Sequence, residues 1–347
     1  MPALAIAEAL RHTHPDWRVV LVGATRGVEA TILPTRDYPF HLLSAEPIYR
    51  REWWKNVRWP VLAMRLLREV GAVLDRERPA LAVGTGGYVS GPVLWRAARR
   101  GIPTAVLELN AHPGLATRWL ARSAREIWLG IPETRPHLTP GPRTAVLETG
   151  APVAPPDPAR REHALARFGL TPERPVLLVT GGSQGARAIN SAVAAWLERP
   201  GSRELQILWA TGRGTYAEFQ RYHRPPSVQV FDFLDPMADA YSVADLAISR
   251  AGMMTISELC AWGVPSILVP LPTAAADHQT PNARALGAAG AAVWLPQLEL
   301  SADRLGDVVD GLLQEPHRLA AMAQAARSRG HPDAAARIAA RIGVLSG

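Results

Sequence analysis

The chain has 347 residues, 48% hydrophobic and 20% charged, with a formal charge of +7 and one cysteine, Cys260. That length exceeds one ordinary core and suits two domains, and the balanced composition excludes disorder as the main state. A lone cysteine excludes an internal disulfide or a cysteine metal site, and no run reaches the ~18 apolar residues of a membrane span.

The opening MPALAIAEALRHTH lacks the basic lead and small-residue cleavage pattern of a signal peptide, so the protein reads as cytoplasmic. All 38 basic residues except Lys55 are arginine, a skew that genome composition explains. The positive balance still favours an anionic partner: a nucleotide, a pyrophosphate or an anionic lipid surface. No zinc-finger, helix-turn-helix or aromatic RNA-binding signature is present, so nucleic acid is not expected.

In chain order, a helix opens at Pro2, where proline is favoured, with Leu4, Ile6, Ala7 and Leu10 on its apolar face. Strands are predicted at Arg18–Val22, Leu81–Val83, Thr104–Leu107, Glu126–Leu129 and Thr144–Leu147. The proline-rich stretch 151–161 reads as a linker. A second series follows at Val176–Thr180, Gln206–Ala210, Val228–Phe233, Leu246–Ser249 and Ser266–Val269. These runs are short, rich in β-branched residues and mostly free of charge, as in strands buried on both faces. Helical stretches separate most of them, which predicts α/β architecture with parallel sheets: two Rossmann-like domains facing a cleft, over 1–150 and 151–330. Residues 331–347 are expected to form a C-terminal helix packing back on the first domain.

A Rossmann-like domain normally runs strand, glycine loop, helix. Here the helix comes first. Either the first domain tolerates a missing first strand, or the given start is internal to the true reading frame.

Several motifs carry chemistry. Gly84-Thr85-Gly86-Gly87-Tyr88 follows one predicted strand, and Thr180-Gly181-Gly182-Ser183-Gln184-Gly185 follows another. Glycines let the backbone approach a phosphate while the next helix points free amides at it. Such a loop alone is also a tight turn; one per domain is the more specific signal. Ser249-Arg250-Ala251-Gly252-Met253-Met254-Thr255-Ile256-Ser257-Glu258 again passes from strand to helix. Glu258 there accepts both hydroxyls of a ribose, or simply favours the positive end of the helix dipole. Asp277-His278-Gln279-Thr280-Pro281-Asn282 clusters amides and an imidazole suited to sugar hydroxyls. No second histidine sits at metal-ligand spacing from His278, so no metal is expected. Asn110 faces the cleft or caps the next helix. Finally, Trp53, Trp54 and Trp59 are interleaved with Lys55 and Arg58, which suits either a membrane–water interface or a helix with its tryptophans turned inward.

Taken in order and spacing, TGGYVSGP, TGGSQGAR, GMMTISELCAWGVPSILVP and DHQTPNA resemble the MurG family over nearly the whole chain. That family is the N-acetylglucosaminyltransferase of the last intracellular step of peptidoglycan precursor synthesis. The resemblance implies a glycosyltransferase-B fold with UDP-N-acetylglucosamine held mainly by the C-terminal domain. It implies lipid I, undecaprenyl-pyrophosphoryl-N-acetylmuramoyl-pentapeptide, as acceptor, and a peripheral location on the cytoplasmic face of the membrane. The acceptor 4-hydroxyl attacks the anomeric carbon with inversion, and no cofactor is implied.

Residue by residue, the resemblance puts Ser183 at the donor, Leu234 at uracil and Met253, Met254, Thr255, Ile256 and Ser257 around nucleotide and pyrophosphate. Glu258 falls on the ribose, Gln279 on the sugar hydroxyls and Asn110 near the donor sugar. Gly86, Gly87 and Tyr88 match the acceptor loop; Trp53, Trp54, Lys55, Arg58 and Trp59 fall at a membrane patch. The departures are the absent GGTGGH-type loop with its histidine, Ala154 where the family has a donor-site arginine, and Leu107 where it has histidine. An inverting transfer needs a group to take the acceptor proton; none is assigned, and His112, near Asn110 in sequence, is the one substitute in view. Two alternatives stay open: a non-catalytic relative that binds UDP-sugar or lipid, and a transferase for another lipid-linked acceptor.

Overall fold

The structure, a computed structural model, describes residues 2–45, 59–182, 185–200, 204–274 and 277–347. The chain forms two compact units: Met1–Pro152 with Asp333–Gly347, and Val153–Pro332. In the first, α1 (Pro2–Thr13) leads to β1 (Leu21–Ala24), α2 (Val28–Ile32), β2 (Phe40–Leu43), α3 (Trp59–Glu77), β3 (Ala82–Gly84) and α4 (Gly87–Arg99). Then follow β4 (Thr104–Glu108), α5 (Leu115–Leu120), β5 (Glu126–Leu129) and β6 (Ala145–Glu148). The second unit begins with α6 (Arg160–Phe168), β7 (Val176–Thr180), α7 (Arg187–Leu197), β8 (Gln206–Ala210), α8 (Tyr216–Phe219), β9 (Val228–Phe231) and α9 (Met237–Val243). It continues with β10 (Leu246–Ser249), α10 (Met253–Trp262), β11 (Ser266–Leu268), α11 (Gln279–Ala288), β12 (Ala292–Trp294), α12 (Ala302–Gln314) and α13 (Pro316–Arg329). The last helix, α14 (Ala334–Ser346), belongs to the first unit.

The second unit holds one six-stranded parallel sheet in the order β12-β11-β10-β7-β8-β9. This is the Rossmann order, in which the chain runs outward in one direction from β7 and in the other from β10. All five residues of β7 and of β8 are buried, because helices cover both faces. Leu177, Val179, Ile207 and Trp209 face α7 and α12, whereas Val176, Leu178 and Leu208 face α6 and α9. Full burial of such a side chain stabilises by about 1.5–3 kcal/mol. Across α6 and α9, Asp239 is buried between Arg160 Nη1 at 2.8 Å and Arg167 Nη1 at 2.6 Å. Burial alone would raise the Asp239 carboxyl, but these two guanidinium groups hold it below its ordinary value.

In the first unit the sheet is in two pieces, β1-β2 and β3-β4-β5-β6, all parallel. Val106, Ile127 and Leu129 pack one face against α3 and α4. On the other face, Ala105, Leu107 and Trp128 meet Ile6 and Leu10 of α1 and Ile338 and Ile342 of α14. Buried Glu126 fastens this face: Arg341 of α14 pairs with its Oε1 and donates from Nε to Oε2 at 3.2 Å. Trp128 Nε1 donates to the same Oε2 at 2.7 Å.

Four predicted strands coincide with β5, β7, β8 and β10, and the others shift at their ends. The first lies at Leu21–Ala24 rather than Arg18–Val22, because Arg18 leaves the sheet to pair with Glu77 at 3.0 Å. Two strands, β2 and β12, were not predicted.

Candidate active site

In the second unit, β7 and β10 are neighbours at the point where strand order reverses, the place where open α/β sheets bind ligands beyond their carboxyl ends. Both strands exit there into glycine-bearing turns. A Cβ on Gly181 would stand 2.2 Å from the Ala186 amide nitrogen, so only glycine lets the loop fold back on itself. The next helix, α7, is anchored by fully buried Asn190. Its Nδ2 donates to the Thr211 carbonyl at 2.8 Å and Thr215 Oγ1 at 3.0 Å, and its Oδ1 accepts from Trp209 Nε1 at 3.0 Å. Ser183 lies outside the described residues.

After β10, the first turn of α10 has no side-chain cap at Gly252, so the amides of Met253, Met254 and Thr255 form an uncapped positive helix end. Beside it, Arg250 Nη1 donates to the carbonyls of Val269 and Pro270, both at 3.1 Å. No carboxylate pairs with Arg250 among the described residues, and burial lowers its pKa. A partly buried cation next to free helix amides is an anion-binding arrangement.

Glu258 sits farther along α10. It does more than offset the helix dipole, because Tyr241 of α9 donates its hydroxyl to Glu258 Oε2 at 2.8 Å. Burial raises the Glu258 carboxyl above its ordinary value while the tyrosine hydrogen bond draws it back. Burial and the adjacent carboxylate push Tyr241 well up, so it stays a neutral donor. Nearby, Gln279 opens α11 and accepts from the Leu271 amide at 3.0 Å, and buried Asn282 donates to the Ala251 carbonyl at 3.2 Å. These bonds tie the turns after β10 and β11 to α11. Leu234 is buried after β9, next to Tyr241 in the core. Tyr241, Asn190 and Asn282 were not singled out for these roles in the sequence.

The first unit carries the other glycine turn. Gly86 takes φ 101°, a left-handed value that favours glycine, and has open space around its Cα; it leads into Gly87 and exposed Tyr88. Ser90 donates back to the Gly86 carbonyl. Asn110 does not cap α5. Buried Glu108 takes that part: its Oε2 accepts from the Gly114 amide at 3.0 Å and Thr117 Oγ1 at 2.6 Å. Its Oε1 accepts from the amide and Nδ2 of Asn110 at 3.1 and 3.2 Å. His112 is exposed, its ring 4.8 Å from that of His137. Leu107 is a core residue packed with Trp128, so its side chain belongs to the interior of this unit. Ala154 is exposed just past the unit boundary.

The helices α3, α4 and α5 pack side by side. Exposed on them are Val61 (68%) and Met64 (55%) in the first two turns of α3, Tyr88 at the start of α4, and Leu115 and Trp119 (58%) along the short α5. Trp119 stacks on Trp95, and Arg99 lies over Trp95 at 5.2 Å. Of the tryptophan-rich segment, Trp53, Trp54, Lys55 and Arg58 lie outside the described residues, and Trp59 begins α3. Among the described residues no helix is long and apolar enough to cross a membrane, and no three His, Cys, Asp or Glu side chains cluster as metal ligands. Cys260 is buried and its thiol pushed up to about 12, which leaves it unreactive.

Residues 1–129 match the glycosyltransferase family 28 N-terminal domain and residues 176–338 its C-terminal domain. A relative from Desulfitobacterium hafniense is 39% identical over 342 residues, 96% of this chain and 92% of the relative. It is named UDP-N-acetylglucosamine–N-acetylmuramyl-(pentapeptide) pyrophosphoryl-undecaprenol N-acetylglucosamine transferase. A Moorella thermoacetica protein of the same name is 40% identical over 344 residues, with the same coverage of both chains. This chain belongs to that transferase family. Among solved structures, Acinetobacter baumannii MurG matches with a TM-score of 0.77 at 27% identity, over 99% of this chain and 95% of that one. The MurG-type fold, two α/β domains with parallel sheets, is the glycosyltransferase-B architecture. A MurG-family chain is thus a glycosyltransferase, and the turns after β7 and β10 lie in its family 28 C-terminal domain.

Proposed function

We propose that this protein transfers N-acetylglucosamine from UDP-N-acetylglucosamine to the 4-hydroxyl of the lipid-linked N-acetylmuramoyl-pentapeptide, converting lipid I to lipid II in peptidoglycan synthesis. The observation that carries the reading is the pair of turns leaving β7 and β10 at the strand-order reversal, with Arg250 and the uncapped start of α10 beside them. In this reading the pyrophosphate lies against the Gly181–Gly182 loop, the amides of Met253, Met254 and Thr255, and Arg250. The ribose hydroxyls donate to Glu258, Leu234 borders the uracil and Gln279 meets the sugar. Ser183 belongs to the same donor loop.

In the reaction the acceptor oxygen forms a bond to the anomeric carbon as the bond to the β-phosphate oxygen breaks, and the hydroxyl proton leaves to a base. Negative charge grows on the departing UDP, and helix amides with a guanidinium already in place stabilise it without reorganisation. Gly86, Gly87 and Tyr88 receive the acceptor pyrophosphate in the first unit, and Asn110, oriented by Glu108, serves the donor sugar. The test is transfer of labelled N-acetylglucosamine from the UDP-sugar to a lipid I analogue. Labelled disaccharide-lipid supports the reading. UDP binding without transfer to any lipid-linked acceptor rejects it in favour of a binding protein.

We also propose that the first unit docks on the cytoplasmic face of the membrane through the amino-terminal turns of α3 and α4 and the short helix α5. Exposed Val61, Met64, Leu115 and Trp119, with arginines nearby at Arg65, Arg68, Arg118 and Arg122, support this, since apolar side chains ringed by cations suit an anionic lipid surface. The segment holding Trp53, Trp54, Lys55 and Arg58 leads directly into α3.

A further inference from the structure

We propose that His112 and His137 together bind one divalent transition-metal ion, of the Zn2+, Ni2+ or Cu2+ type, on the surface of the first unit. The two histidines are far apart in sequence, and the sheet brings them together. His112 lies in the turn that leaves β4, and His137 ends the short 3-10 helix Pro132–His137 that follows β5. Strands β4 and β5 are adjacent and parallel, so both segments leave the same end of the sheet. There the imidazole rings have centroids 4.8 Å apart and planes inclined by 59°. Both side chains are exposed, and among the described residues no hydrogen bond occupies either ring.

Backbone contacts fix this placement. A Cβ on Gly130, just past β5, would stand 2.9 Å from the Leu109 carbonyl oxygen, so only glycine lets the two exits run so close. The Gly130 amide donates to the Glu108 carbonyl at 2.8 Å. Buried Thr134 donates from Oγ1 to the Asn110 carbonyl at 2.8 Å, which ties the 3-10 helix to the turn after β4. Pro113 restricts the backbone of His112, and Pro136 fixes its own φ directly before His137. The two Cα positions are thus set before any ion arrives, which spares the ion most of the cost of ordering them.

The spacing suits a shared ion. An imidazole nitrogen sits about 2.0–2.1 Å from Zn2+, which puts the ring centroid about 3.2 Å from the ion. Two such rings on one ion then have centroids about 4.5 Å apart at a right-angled N–metal–N and about 5.2 Å apart at a tetrahedral one. The observed 4.8 Å lies between these values. Neutral imidazole nitrogen suits Zn2+, Ni2+ and Cu2+, whereas Mg2+ and Ca2+ take oxygen. Among the described residues no third His, Cys, Asp or Glu side chain joins the pair, so the ion keeps positions open to water or to an oxygen ligand. An ion held this way cross-links the segments after β4 and β5. Asn110 is two residues from His112, so the ion also stiffens the turn given above to the donor sugar. That consequence rests on the proposed function, whereas the ion site does not.

The test titrates Zn2+ alone into the full chain by calorimetry, beside His112→Gln, His137→Gln and the double variant. His163→Gln, at an exposed histidine of α6, is the control. Both proposed ligands are exposed, so glutamine at either position should leave the metal-free thermal midpoint unchanged. Losing a group that only orients a metal ligand costs about 10–100-fold in affinity, and losing a ligand costs at least that. The expected result is one Zn2+ per chain at this site, weakened at least about tenfold in either single variant, little further in the double, and unchanged in the control. Ni2+ should compete for the site and Mg2+ should not. Zn2+ affinity that survives either single variant, or single losses that add in the double, would mean that the rings share no ion and would overturn the inference. So would the absence of stoichiometric Zn2+ binding, or equal competition by Mg2+.

Discussion

Removing one hydroxyl, Tyr241→Phe, probes the donor site without touching the groups proposed to meet the ligand. The phenol is buried and its ring packs in the core, so phenylalanine keeps the packing and deletes the donor 2.8 Å from Glu258 Oε2. Burial raises the Glu258 carboxyl, and the Tyr241 hydrogen bond opposes that rise. A hydrogen bond to a charged group is worth about 1.5–3 kcal/mol, so losing it leaves burial unopposed and lifts the Glu258 carboxyl further. Ribose hydroxyls donate to the ionised carboxylate, so UDP affinity falls as pH drops through the Glu258 pKa and levels off above it. Calorimetric titration of UDP across the acidic and neutral range should show the midpoint of that fall displaced to higher pH in the variant, with the high-pH plateau little changed. An unmoved midpoint, or an equal loss of affinity at every pH, would refute the reasoning and leave Tyr241 a packing residue. The sign for folding is opposite: a raised carboxyl contributes stability that is fully present below its unfolded value near 4.5 and is lost as pH rises through the folded value.

Glu258→Ala should weaken UDP binding by about 1–3 kcal/mol, read by the same calorimetry, because the ribose loses a charged acceptor. Asp239→Ala should cost about 3 kcal/mol in chemical denaturation, since it leaves Arg160 and Arg167 without their shared buried carboxylate. Because Asp239 is held below its ordinary 3.8, its contribution is present above that pH and lost as pH falls through the folded value; the variant should show a shallower acid limb. Arg341→Ala should cost about 2 kcal/mol, less than a fully buried pair because the arginine is partly exposed, and hydrogen exchange should quicken in α14 and α1 together. Replacing Leu115 and Trp119 by serine should reduce co-sedimentation with anionic vesicles while leaving UDP affinity unchanged; equal sedimentation would remove the docking surface.

The second unit was largely legible because β7, β8 and β10 are buried on both faces, which writes an unbroken apolar run into the sequence. Edge strands carry a weaker signal. Strand β2 exposes Phe40 and half-buries His41, and β12 has three residues, so neither stands out from a loop. The glycine turns were visible because a positive φ or a close backbone approach demands glycine at a recognisable place. Tyr241 was not: it reaches Glu258 from the preceding helix, 17 residues away, and no periodicity links the two. Glu108 was passed over beside Asn110 although its partners lie within nine residues, because a carboxylate accepting from Gly114 and Thr117 looks in sequence like any other glutamate.

The first unit is discontinuous along the chain, closing only when α14 lies on α1 and β5. The second, 153–332, is continuous. On the ribosome this imposes an order. Residues 153–332 have everything they need as they emerge, whereas the 152 residues made before them must wait for the last helix to be synthesised. Until then Ala105, Leu107 and Trp128 stay uncovered by Ile338 and Ile342, and Glu126 lacks Arg341. A truncation that removed α14 would therefore damage the unit built mostly from residues made before 153.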